Sequence, residues 1–166
     1  MPMKEPKEVF VKMLSDVRRG VERSTKAFQE LSGIAQDPEI KEALEARVFI
    51  SEDIARKLDE CFRIIGTQPV KGEGKLHDIF VEDFRREIAE IQSPEAKRLY
   101  VLAKALHLLH LRVGEYVALI AAADLTGHYA VGVLLESCLG EKLALVERTR
   151  RLIRERVGER LAVATA

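Results

Sequence analysis

Tryptophan is absent from this chain, and aromatic residues make up only 5% of it. Proteins that hold single-stranded nucleic acid by stacking bases on rings need more than this, so that class is set aside. There are only two cysteines, Cys61 and Cys138, far apart in sequence, and the start of the chain has no signal-peptide pattern. A disulfide-stapled secreted domain is not expected; the composition points to a cytoplasmic protein with two buried thiols. An excess of charge is missing too. With 27 basic and 27 acidic residues, nothing global draws the protein to nucleic acid or to an anionic membrane surface. The most apolar region, Leu99 to Asp124, is broken by Lys104, His107, His110, Arg112 and Glu115. Its longest charge-free run, Tyr116 to Ala123, falls far short of the ~20 residues of a membrane span. A phosphate loop, a nucleophile elbow and a Cys-x-x-Cys pair are all lacking, so no catalytic apparatus is visible.

What is present is a helical pattern. A chain of 166 residues with 47% apolar and 33% charged residues can bury a real core, and a single domain over 1–166 is expected. Phe10, Met13, Leu14, Val17, Val21, Phe28 and Leu31 recur at helical spacing from Pro6 to about Gly33. Asp37-Pro38-Glu39 then has the form of a helix start, with Asp37 as cap. The second stripe runs through Ile40, Leu44, Ile54, Leu58, Cys61 or Phe62, and Ile65, and ends at Gly66 and Pro69. KGEGK is a turn, and His77 to Ile91 holds a short amphipathic helix with Ile79, Phe80, Phe84 and Ile88 apolar. Ser93-Pro94-Glu95 repeats the capping pattern and launches the central helix, which stops at Thr126-Gly127. That helix is apolar nearly all round, which predicts burial on several sides. The last helix runs from about His128 to Val157 and is closed by Gly158.

Connection lengths set the topology. The first two helices are joined by a short link, as are the last two, so each pair is an antiparallel hairpin. The long segment between the pairs can run the length of a bundle and return. Two hairpins with one long crossover make an all-α, ferritin-like four-helix bundle.

Bundles of this kind carry two metals between carboxylates and Glu-x-x-His pairs, because residues three apart share a helix face. Three residues before the four histidines stand Gly74, Lys104, His107 and Leu125, so the motif is absent. The stretches DPEIKEALE and LDECFRIIGTQP on the second helix, HLLHLRVGEYVAL on the central helix and LTGHYAVGVLLESCLGEK into the last resemble the YciE/YciF-type ferritin-like proteins over essentially the full length. That resemblance implies a ferritin-like bundle, often dimeric, associated with bacterial stress responses and with a two-metal centre. Carried over one at a time, the family's ligand positions fall on Val21, on Arg47 and Ile50, on Leu109, His110, Leu111 and Arg112, and on Glu141 with Leu145 or Val146. Only His110 and Glu141 keep the ligand type. Two arginines and several apolar residues reverse the electrostatics that two cations require.

The expectation is a degraded metal site and a non-catalytic structural or stress-associated role, with no cofactor. Arg47 sits on an apolar stripe where a charge is costly unless paired, so an ion pair with Glu141 is expected in place of metal, with His110 as a hydrogen-bond partner. The alternative for Arg47 is that its long stem carries the charge to the surface. The alternative function is a metal-dependent oxidase or storage protein taking iron, manganese or zinc at a shifted site built from His107, His110, Glu115 or Glu141. His107 and His110 share a helical face and could hold one zinc or copper ion, though tetrahedral sites want three or four ligands. His77 and His128 are read as surface or capping residues. The basic cluster Arg148, Arg150, Arg151, Arg154 and Arg156 is interleaved with glutamates and is read as a solvated face. The surplus apolar surface is assigned to a homodimer, or to an unidentified protein partner along the central helix.

Overall fold

The computed structural model of the chain describes residues 3–34, 38–71 and 75–164, with side chains throughout these except at 31, 34, 75–77 and 156–164. Five helices account for nearly all of it: α1 Pro6–Ile34, α2 Pro38–Ile65, α3 Lys75–Glu90, α4 Pro94–Leu125 and α5 Tyr129–Ala164. Proline opens three of them at the position where a missing N–H leaves no bond unmade. Ser93 caps α4 by accepting a hydrogen bond from the Ala96 amide, 3.3 Å away. The expected cap at Asp37 and most of the KGEGK turn lie outside the described residues.

Two helix ends depend on glycine. Gly66 and Gly127 have φ of 72° and 74°, the left-handed region that stops a helix without a Cβ clash. Gly158 does not act this way. The last helix continues through it to Ala164, since a helical glycine costs only about 1 kcal/mol relative to alanine and need not break the ladder.

The four long helices pack as α1 against α2 and α4, and α5 against α2 and α4. Pairings between helices give their directions. Arg18 meets Asp59 at 2.6 Å, and α1 is antiparallel to α2; Phe10 stacks on His128 beside the α4–α5 turn, while the glycine at 20 faces Arg112, so α1 is antiparallel to α4. The order is up, down, down, up, and the crossover returns the chain to the first end. That is the ferritin-like arrangement.

The buried positions show how the seams are made. The seams run through Phe10, Leu14, Val17, Val21, Ser24 and Phe28 on α1, and Ile40, Leu44, Arg47, Ser51, Ile54, Leu58, Cys61 and Ile65 on α2, with Val11, Ser15, Ala43 and Phe62 buried beside them. On α4 they run through Leu102, Ala105, Leu109, Arg112, Tyr116, Leu119 and Ala123, and on α5 through Val131, Leu135, Cys138, Lys142, Leu145 and Thr149, with Leu108 and Val146 buried beside them. Steps alternate between three and four, the period of left-handed helix packing. The central helix is buried chiefly along this stripe, with Leu108 buried beside it in the cluster of Phe28, Ile40 and Leu44, while Leu99 and Val117 are exposed on its outer face.

α3 lies outside the square. It runs parallel to α1, with Arg23 against Asp78 and Glu30 against Arg85, and antiparallel to α4, with Tyr100 and Lys104 both on Glu87. Phe84 is its buried anchor, but Ile79, expected on the apolar face, is exposed. α4 is long and apolar enough to pass for a membrane span by length and composition, yet its inner stripe packs against α1 and α5 with Arg112 in the middle.

Candidate functional site

The waist of the bundle is where the sequence places charge on apolar stripes. Arg47, Arg112 and Lys142 are only 2%, 3% and 4% exposed, and Ser24, Ser51 and Thr149 are buried with them. Among the described residues no Asp or Glu is buried. The core therefore contains three cations and no fully buried counter-charge.

Each cation has a different environment. One Arg47 nitrogen donates to the Ala43 carbonyl at 3.1 Å and another to the Thr149 hydroxyl, which donates in turn to the Leu145 carbonyl at 2.7 Å. Burial pulls the Arg47 guanidinium down to about 10, and neighbouring Arg148 adds to the effect. Arg112 pairs with Glu115 one turn along α4 at 2.5 Å, and Glu115 is 30% exposed. The absence of a side chain at Gly20 makes room for this guanidinium: a Cβ there would overlap it. Lys142 has no hydrogen-bond or ion-pair partner among the described residues. Burial, then repulsion from Arg112, pushes its ammonium down to about 8.

Beside these stand polar atoms without partners. The Ser51 hydroxyl, the Tyr116 hydroxyl, the Arg47 Nε and the Glu141 Oε2 are buried with none. Tyr116 is fully buried, which holds its phenol well above the ordinary range. One layer further, Cys61 and Cys138 are free, fully buried thiols, each pushed up to about 12 mainly by burial. Thiols so protonated are poor nucleophiles and metal ligands.

The expected pairing of Arg47 with Glu141 is not the pairing found. Glu141 binds Lys57, which also reaches Asp53 at 3.0 Å, on the outer part of the α2–α5 seam. Helix register explains this. Lys57 stands opposite Glu141 and Arg47 opposite Thr149, and Thr149 lies about 12 Å further along α5 at 1.5 Å per residue. Arg47 does not reach the surface either. His110, placed between them by the sequence reading, is exposed on α4, as is His107. Of the shifted site, Glu115 is held by Arg112 and Glu141 by Lys57. The four are not brought to one point. Among the described residues no three His, Cys, Asp or Glu side chains are grouped so as to hold a metal ion. His128 is half-buried on Phe10 with ring centroids 5.9 Å apart, and the His77 side chain lies outside the described residues. Arg148, Arg150, Arg151 and Arg154 are exposed, as a solvated face requires; the side chain of Arg156 lies outside the described residues.

Lys142, Thr149 and Tyr116 were not singled out from the sequence. The signal was there, because the stripe Val131, Leu135, Cys138, Leu145 passes through Lys142 at the correct step, whereas Glu141 is rotated by about 100°. A separate cavity of about 400 Å³ lies between α1, α3 and α4, lined by Phe28, Phe80, Phe84, Ile88, Val101 and Leu108 among others. Lys104 stands at it, 5.9 Å above the Phe80 ring.

Helix order, crossover and waist define a ferritin-like bundle with a cationic centre. The chain belongs to the DUF892 family, a domain of unknown function whose profile matches residues 5–162. No curated protein matches it. Among solved structures it is similar to the Escherichia coli stress protein YciF, with a TM-score of 0.88 and 20% identity over 94% of this chain and 99% of that one. It is similar also to YcfI of Rhodopseudomonas palustris, with a TM-score of 0.85 and 20% identity over 89% of this chain and 94% of that one. A protein of Xanthomonas campestris matches with a TM-score of 0.73 and 15% identity over 98% and 100% of the two chains. The likeness to YciE/YciF-type proteins read from the sequence holds, and at these identities it shows the fold.

Proposed function

We propose that this protein is a non-catalytic, stress-associated bundle in which buried cations stand where ferritin-like proteins keep a two-metal centre. The observation that supports this is the charge of the waist: Arg47, Arg112 and Lys142 are buried there, while every Asp and Glu among the described residues is at least partly exposed. Two metal cations need anionic ligands to offset their charge, and three fixed positive groups oppose their entry. The association with stress rests on the fold shared with YciF. Protein purified without chelator or histidine tag, from cells supplied with iron, manganese and zinc, is expected to contain well under one metal atom per chain by elemental analysis. A content near two per chain would overturn the proposal.

The protein is also proposed to be a homodimer. Leu125 at the end of α4, and Tyr129 and Val133 one turn apart at the start of α5, are large apolar side chains left exposed near the α4–α5 turn.

A further inference from the structure

The cavity of about 400 Å³ between α1, α3 and α4 lies away from the waist, under the crossover helix. Native interiors leave few voids larger than a water molecule, and this volume falls within the ~300–1,000 Å³ of sites that hold small molecules. Its walls are mostly aromatic and aliphatic: Phe28 on α1, Phe80, Phe84 and Ile88 on α3, and Val101 and Leu108 on α4. Walls of this kind take an apolar body, because every methylene moved onto them leaves water.

The cavity is elongated. Its lining runs from Phe80 to Ala89 on α3 and from Lys97 to Leu108 on α4, so it follows the two helices for roughly 14–17 Å at 1.5 Å per residue. The helices are antiparallel, with Glu87 accepting from Tyr100 and 3.0 Å from Lys104, and Asp83 3.6 Å from Lys104. That register sets Phe80 near Leu108 at one end and Ala89 near Lys97 at the other. The first end is apolar, since Phe80 packs with Phe28 and Leu108. The second ends at an exposed lysine.

Charge distinguishes the ends further. Glu30, Arg85, Lys97 and Lys104 are the charged residues of the lining. Arg85 is held by Glu30, and Lys104 by Glu87 and Asp83. The Lys97 ammonium has no partner among the described residues. A ligand that fits this layout is a straight apolar chain with one negative group at its end.

We propose that the cavity binds one medium-chain fatty acid, its tail lying between α3 and α4 toward Phe80 and Leu108 and its carboxylate paired with Lys97. Nothing in this site depends on the cations of the waist, so it stands or falls separately from the proposed function.

The test is calorimetric titration of the full chain at neutral pH with sodium decanoate and, separately, with decyltrimethylammonium, both below their micelle-forming concentrations. One decanoate is expected to bind per chain, more tightly than the cation of equal chain length. Lys97→Glu should raise the decanoate Kd about fivefold, the scale of losing one partly exposed ion pair, and should tighten decyltrimethylammonium. Val101→Phe, which fills the cavity, should abolish binding of both, and Lys41→Glu, on the exposed face of α2, should change neither. Should Val101→Phe fail to fold, the exchange of preference in Lys97→Glu decides the matter. No saturable binding of decanoate, equal affinity for the two probes, or a decanoate Kd unchanged by Lys97→Glu would overturn the site.

Discussion

Lys142 shows how a single position can carry opposing costs. Its methylenes continue the apolar stripe between Cys138 and Leu145, while its ammonium is buried near Arg112. The folded-state value of about 8 lies below the ordinary 10.5, so the unfolded chain binds more protons between these two values. Stability therefore rises with pH across that window, and the cost of the buried charge is fully present below about 8. The other titratable or charged groups that act on Lys142 are Arg112 on α4, Cys138 and Glu141 on α5 and Arg47 on α2. Comparing the chain with Lys142→Met cancels what these contribute alone. The variant is expected to be the more stable at pH 7 by ~1–3 kcal/mol, with the gap closing toward pH 10. Denaturant unfolding at several pH values checks this; a gap that widens with pH would show that the ammonium is stabilised rather than strained.

At the scale of elements, the long helices differ from α3. The seams of α1, α2, α4 and α5 interlock at alternating steps of three and four, whereas α3 fully buries only Phe84, half-buries Phe80 and Ile88, and is held further by surface ion pairs. Glu87 accepts from Tyr100 and Lys104, and these contacts, Tyr100 first, hold its carboxyl below the usual range. Exposed pairs contribute little and weaken with salt. Amides of α3 are therefore expected to exchange through an opening that costs less than that of α2 or α5, and Phe84→Ala should speed exchange in α3 with little effect on α2. Native-state hydrogen exchange by mass spectrometry reads both. Uniform protection across α2 and α3 would mean that the crossover folds as one unit with the bundle.

The starts of these elements were legible because Pro6, Pro38 and Pro94 and the stops at Gly66 and Gly127 act locally. The waist was less legible. Arg47 and Arg112 could be seen to fall on apolar stripes, but the partner of each depends on the register between helices distant in sequence. One residue's rotation separated Glu141, which faces Lys57, from Lys142, which faces the core. Gly158 looked like a stop only because local propensity was read without the packing that carries α5 past it.

For the whole molecule, the exposed apolar side chains of Leu125, Tyr129 and Val133 make assembly the property to measure. Light scattering is expected to give twice the 18.7 kDa chain mass, and Tyr129→Glu with Val133→Glu should reduce it to the single value without loss of helicity. An unchanged mass in the double variant would place the interface elsewhere. The order of helices has a mechanical consequence as well. α1 begins beside the α4–α5 turn, where Phe10 meets His128, and α5 runs from that turn to the opposite end. The start of α1 and the end of α5 are therefore held apart by at least the length of α1, roughly 43 Å for its 29 residues. Force applied between them pulls along the helix axes and must slide whole seams past one another, so the bundle is loaded in shear instead of being peeled open one turn at a time.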